Sequence, residues 1–271
     1  GGHRLGLLNP DTVLVGETDD GDIYEWSPDL TETQKYLWQL YQQNIEEICA
    51  FADGDELIVF HDGDLTQGDR FGNLIPDATR EDQRTIGYFN LLPLLSLSNV
   101  RVARLVTGTQ VHVPECAEAR VAYRLQKDTG KDVQAFHHGR VRVSGVPFDV
   151  AHHGPYPGSR DWLKGNVALY YLKDRVYEDR RLGVEPARVY MRGHFHEYVS
   201  VPLEDRWCGK RYQYDLTILP SYSGMNRHAR KVTRSDPSLT NGLVCYEILD
   251  GRLANIEPFV TTVDLRTEEN I

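Results

Sequence analysis

Glu56-Leu57-Ile58-Val59-Phe60-His61-Asp62-Gly63-Asp64-Leu65-Thr66-Gln67-Gly68 is the stretch on which the fold turns. Leu57 to Phe60 run without a polar break, which reads as a buried strand from the middle of a parallel sheet. The run ends in His61, Asp62, Gly63 and Asp64. In open α/β sheets ligands bind at the carboxyl ends of strands, so an apolar strand that delivers carboxylates there points to a metal site. Gly63 permits the sharp turn after it.

The pattern recurs downstream. Val146-Pro-Phe-Asp-Val-Ala-His152-His153 and Ala187-Arg-Val-Tyr-Met-Arg-Gly-His194-Phe-His196 are apolar runs that end in histidine pairs. Val102 to His112 is a further run, broken by Gly108-Thr109. Of the 10 histidines, His61, His152, His153, His194 and His196 sit just past apolar runs. That clustering points to metal ligation rather than to scattered surface histidines.

Between these runs the signals alternate. Residues 1–25 are rich in turn formers and acids, including Asp19 to Asp22, and read as solvated loop. Ser27-Pro28 reads as an N-cap and first turn, opening a helix to about Ala52 with Leu37, Leu40, Tyr41, Ile45 and Ile48 on one face. Thr79 caps a second helix to about Leu97, despite Pro93. A strand is expected at 100–107, a helix at 114–127, two strands across 132–152 joined near Ser144-Gly145, a helix from Asp161 to about Leu182, and a strand at 188–192. Residues 211–219 and 243–260 supply three more strands. This order predicts a layered α/β or α+β fold. At 271 residues, one large α/β domain is the expectation, with two small ones as the alternative.

Composition narrows the classes. The chain is 40% hydrophobic and 26% charged, as in a water-soluble globular protein. No apolar run reaches the ~20 residues of a membrane helix, so no membrane partner is expected. Cys49, Cys116, Cys208 and Cys245 form no C-x-x-C pair, and with no leader visible a reducing, cytoplasmic location is expected. The net charge of −10 argues against a broad non-specific grip on nucleic acid.

The order Gly63-Asp64 with Gly68, then Gly108-Thr109-x-x-His112, then His152, then Gly193-His194-x-His196 resembles the calcineurin-like metallophosphoesterases, over roughly residues 55–200. It is closest to the phage-like subgroup with G-T-x-x-H in place of G-N-H. The resemblance implies a four-layer α/β/β/α sandwich spanning residues 1–271 and two divalent ions, Mn²⁺ first, with Fe, Zn²⁺ or Ni²⁺ as alternatives. Asp64 would bridge both ions. His152 and His194 would serve one, His196 the other. Thr109 stands at the family's asparagine ligand and would touch a metal or its water. His112 would be the catalytic histidine, steadying the transition state or protonating the leaving oxygen. A metal-activated hydroxide would then hydrolyse a phosphate mono- or diester, with a nucleotide or nucleic acid among the candidate substrates. His153 is expected beside the ligands or facing substrate.

No Asp-x-His precedes residue 55, and Gly2-His3-Arg4-Leu5-Gly6 looks like the segment just after that motif in the family. The first strand and two ligands are therefore expected upstream of Gly1. Arg227, His228 and Arg230, in the polar stretch 221–231, are candidate phosphate contacts. His137 and His138, in a predicted hairpin, are expected to be structural or surface residues rather than catalytic. His61 and Asp62 are either ligand-orienting groups or plain strand-end polar residues. Two other functions share the motifs: a nuclease of the same fold, and a non-catalytic binding module with one metal site lost.

Overall fold

A computed structural model describes residues 2–70, 74–76, 78–113, 116–157, 163–224, 238–267 and 269. The chain divides into two units, residues 1–136 with 222–229 and residues 137–221 with 230–271. Both mix helix and sheet, as the α/β reading expects.

In the first unit the expected loop at 1–25 contains a short antiparallel hairpin, β1 (Leu14–Glu17) with β2 (Ile23–Trp26). The first helix, α1 (Glu32–Ala52), starts later than Ser27. Thr31 is its N-cap: the Thr31 hydroxyl accepts from the Gln34 N–H, and the Gln34 side chain accepts from the Thr31 N–H at 2.9 Å. This reciprocal box satisfies two helix-end donors, which Ser27 followed by proline does not offer here.

Then come β3 (Leu57–His61), α2 (Arg80–Leu95), β4 (Val100–Val106), α3 (Ala117–Thr129) and β5 (Asp132–Phe136). The three strands pair in parallel in the order β3-β4-β5. β4, not β3, is the central strand of this sheet, and every residue of β3 is only half-buried. An unbroken apolar run does not distinguish an edge from a centre. Thr79 caps α2 as expected. Pro93 sits inside α2 and has no N–H for the Phe89 carbonyl. That carbonyl accepts instead from the Asn9 side-chain amide at 2.9 Å. Leu91, Leu95, Val121 and Leu125 of α2 and α3 pack on Ala103, Leu105 and Val133 to form the core of this unit.

In the second unit, β6 (His138–Val143), β7 (Val146–Ala151), α4 (Asn166–Arg181), β8 (Val189–Arg192), β9 (Val199–Trp207) and β10 (Lys210–Ile218) build a five-stranded sheet of order β6-β7-β8-β10-β9. β7, β8 and β10 are parallel, flanked by antiparallel β6 and β9. The span 132–152 thus holds three strands rather than two: β5 leaves for the first unit's sheet before the hairpin begins. β9 is an addition to the expected strands, although Val199-Ser-Val-Pro-Leu-Glu alternates as an edge strand should. β11 (Ser238–Leu249) and β12 (Arg252–Asp264) form a long antiparallel pair that starts earlier than residue 243. α4 begins at Asn166; the expected opening residue Asp161 lies outside the described residues. Among the described residues no helix is long and apolar enough to cross a membrane.

Candidate metal centre

Parallel pairing brings strand C-termini to one edge of each sheet, and the candidate residues sit there. In the first unit Asp64 lies just beyond β3, and Gly108-Thr109 just beyond β4. The Thr109 N–H donates to Asp64 Oδ1 at 2.7 Å. A Cβ at Gly108 would fall 2.1 Å from the Asp64 nitrogen and 2.2 Å from its Oδ1, so only glycine permits this approach. Thr109 therefore meets Asp64 through its backbone, a role the ligand expectation does not include.

Glu118, in the first turn of α3, joins this loop system without any sequence signal. It is fully buried. Its Oε1 accepts from the N–H groups of Leu65 and Gly108, both at 3.4 Å, and so ties together the loops that carry Asp64 and Thr109. Burial raises the Glu118 pKa, its backbone hydrogen bonds oppose the rise, and the nearby Asp64 charge adds to it. An acid in a helix's first turn usually reads as a solvated partner of the helix dipole. Nothing in the sequence marks this one as buried.

His112 is half-buried in the same loop system. Its Nδ1 lies 2.9 Å from the Gln67 carbonyl, which can only accept, so Nδ1 carries the proton. The Thr66 hydroxyl donates to the His112 carbonyl, and the His112 N–H donates to the Thr109 carbonyl at 2.8 Å.

In the second unit Ala151 of β7 is paired with Arg192 of β8. The residues just past them, His152-His153 and Gly193-His194, are thereby set side by side. The Gly193 N–H donates to the His152 carbonyl at 3.0 Å. The imidazoles of His152, His153 and His194 each offer a nitrogen, all within 4.8 Å of one another. His194 Nδ1 is 3.3 Å from His152 Nε2. His152 is buried, His194 half-buried and His153 exposed, so the cluster is closed at the back and reachable from solvent. Three imidazoles in this spacing match the donor set of an open zinc, iron or nickel site. His153, expected beside the ligands, belongs to the cluster. His196 does not: it is half-buried, and its backbone carbonyl accepts from Thr240.

No family model and no curated protein matches this chain. A Thermotoga maritima structural genomics target solved by solution NMR is similar over 62% of this chain and 85% of its own, at 17% identity and a TM-score of 0.31. A likeness that weak carries no argument.

Arg192, the last residue of β8, is completely buried. It pairs with Asp149 of β7 at 2.5 Å and donates to the Asp149 and Met191 carbonyls and the Tyr171 hydroxyl. Asp149 also meets His138 Nε2 at 2.9 Å. Burial opposes ionisation of Asp149, but the His138 hydrogen bond and the Arg192 charge bring its carboxyl below the usual range.

Backbone conformation sets the same residues apart. Eight described non-glycine residues have positive φ. Asp53 and Cys116 are helix caps, and Ser144, Cys208 and Asp250 each precede a positive-φ glycine in a two-residue hairpin turn. The three that remain are Asp64, His194 and His196, with φ of 52°, 76° and 55°. Each is a sequence-predicted ligand in a conformation that costs ~1–2 kcal/mol for an L-residue. Left-handed residues outside caps and turns concentrate at functional sites. Arg227, His228 and Arg230 lie outside the described residues.

Proposed function

We propose that the chain is a metal-dependent phosphoesterase. The observation that carries the reading is the convergence of His152, His153 and His194 at the ends of two parallel strands. Within the first unit, the family's motif order implies Asp64 as a metal ligand, and its left-handed backbone and the Thr109 N–H that holds its Oδ1 support that assignment. The four-layer α/β/β/α architecture of the resembled family is part of the same proposal. A bound divalent ion would polarise a phosphoryl oxygen and lower the pKa of a water.

The chain's own residues supply the rest. Asp64 offers hard carboxylate oxygens, and the imidazoles offer borderline nitrogens. The three-histidine cluster suits Zn²⁺ or Fe better than Mn²⁺. His112, with Nδ1–H held by the Gln67 carbonyl, has its orientation fixed as a general acid requires. In that role the ring would act as an imidazolium, protonated at both nitrogens, give its Nε2 proton to the departing oxygen and keep the Nδ1 proton on the Gln67 carbonyl.

The test is hydrolysis of bis-p-nitrophenyl phosphate and p-nitrophenyl phosphate with added Mn²⁺ or Zn²⁺. Turnover should be abolished together with metal binding by Asp64→Asn. His112→Ala should keep metal and lose roughly 10²–10⁴-fold in turnover. Metal bound without turnover on either ester or on single-stranded DNA would make the chain a binding module instead.

A further inference from the structure

The second unit contains a half-open cavity of about 360 Å³ on the α4 side of its sheet. Arg180, Glu185, Arg188, Trp207, Tyr212 and Tyr214 line it. None of these residues belongs to the histidine cluster.

The charges around the cavity do not all cancel in pairs. Arg180 is spoken for: it pairs with Asp205 at 2.5 Å, donates to the Tyr214 hydroxyl at 3.0 Å and stacks 4.5 Å from the Trp207 ring. Glu185 is bound to Arg142 at 2.6 Å, and Arg142, Arg188 and Arg140 all favour its charged form. Arg188 has no carboxylate within ion-pair distance among the described residues. Its guanidinium lies against aromatic rings, 4.7 Å from Tyr212 and 5.3 Å from Tyr214. Aromatic rings take up none of its N–H groups in ordinary hydrogen bonds, so they remain donors for an oxyanion, which a guanidinium can grip with two parallel hydrogen bonds. Beside it Trp207 is 46% exposed. Its cross-strand partner is Lys210, a second cation on the same face.

We propose that this cavity binds a small ligand joining a planar ring to an anionic group, with the anion on Arg188 and the ring against Trp207. Nucleoside monophosphates and aromatic carboxylates share that chemistry. The proposal stands apart from the phosphoesterase reading, because none of its residues is a candidate ligand or catalytic group.

The test is calorimetric titration of the full chain in EDTA, so that no metal-held phosphate contributes. Four probes are compared: AMP, indole-3-acetate, adenosine and inorganic phosphate. AMP or indole-3-acetate should bind saturably and at least about tenfold more tightly than adenosine or phosphate alone, because ring and anion contacts add. Which of the two binds identifies the anion. Arg188→Ala should weaken binding about 10–100-fold, and Trp207→Ala about tenfold. Arg188→Lys, which keeps the charge, should retain part of the affinity and guards against misfolding as the cause, alongside an unchanged circular dichroism spectrum. Saturable binding by neither composite probe overturns the proposal. So does binding that survives both Arg188→Ala and Trp207→Ala, or inorganic phosphate binding as tightly as AMP.

Discussion

The strand-end loops of the two units solve one positioning problem by different means. In the first unit a carboxylate, Asp64, is held by backbone: the Thr109 N–H reaches it directly, Gly108 makes room, and Glu118 ties the two loops through their N–H groups. In the second unit the two strands that end in the imidazoles are joined by side chains, through the buried Arg192–Asp149 pair and its links to Tyr171 and His138. Backbone clamps tolerate exchange of one hydrogen-bonding side chain for another. A buried ion pair does not tolerate loss of one partner, because the other charge is stranded. The two loop systems should therefore fail differently under mutation.

The largest effect is expected at Arg192. Arg192→Ala leaves Asp149 charged and buried, and should lower unfolding free energy by about 3–5 kcal/mol in a urea titration. A loss below about 1 kcal/mol would erase the contrast between the units. Next comes Gly108→Ala, whose new methyl collides with Asp64 backbone and side chain. It should cost about 1–3 kcal/mol and weaken whatever binds at Asp64. Glu118→Gln keeps an acceptor for the same N–H groups and should stay within about 1 kcal/mol of the parent. If it matched the Arg192 variant instead, the first unit's clamp would be an electrostatic device as well.

The smallest effect separates the two units through pH. Asp149 has a depressed pKa, so its stabilisation is present above the unfolded carboxyl value of about 3.9 and fades as pH falls through the lower folded value. Glu118 has a raised pKa, so its contribution is complete below the unfolded value of about 4.3 and fades as pH rises through the higher folded value. Urea midpoints across pH should show the gap between the parent and Asp149→Asn closing on acidification. The gap between the parent and Glu118→Gln should move the opposite way.

The apolar-run-then-ligand pattern is legible in the sequence because it is local. It locates β3, β4, β7 and β8 and the residues just past each. Burial and anchoring are not legible. β3 reads as central yet lies at its sheet's edge, because strand order depends on pairings the run itself does not encode. Glu118 and Arg192 look like ordinary surface charges until the fold encloses them. The family pattern singles out His152 as the residue directly after the strand and leaves His153 beside it, but the chain has left β7 by that point and both rings turn toward His194. Ser27 reads as a cap because the proline after it is a strong but local signal; the Gln34 side chain moves the cap to Thr31.

Whether the histidine cluster is a metal centre is decided by the metal content of the chain after loading with Zn²⁺ or Mn²⁺ and exhaustive dialysis, set beside that of a His152→Ala/His194→Ala double variant. The parent chain should retain at least one ion, and the double variant should lose it. A parent chain that retains none, or a double variant that retains as much as the parent, would contradict the assignment.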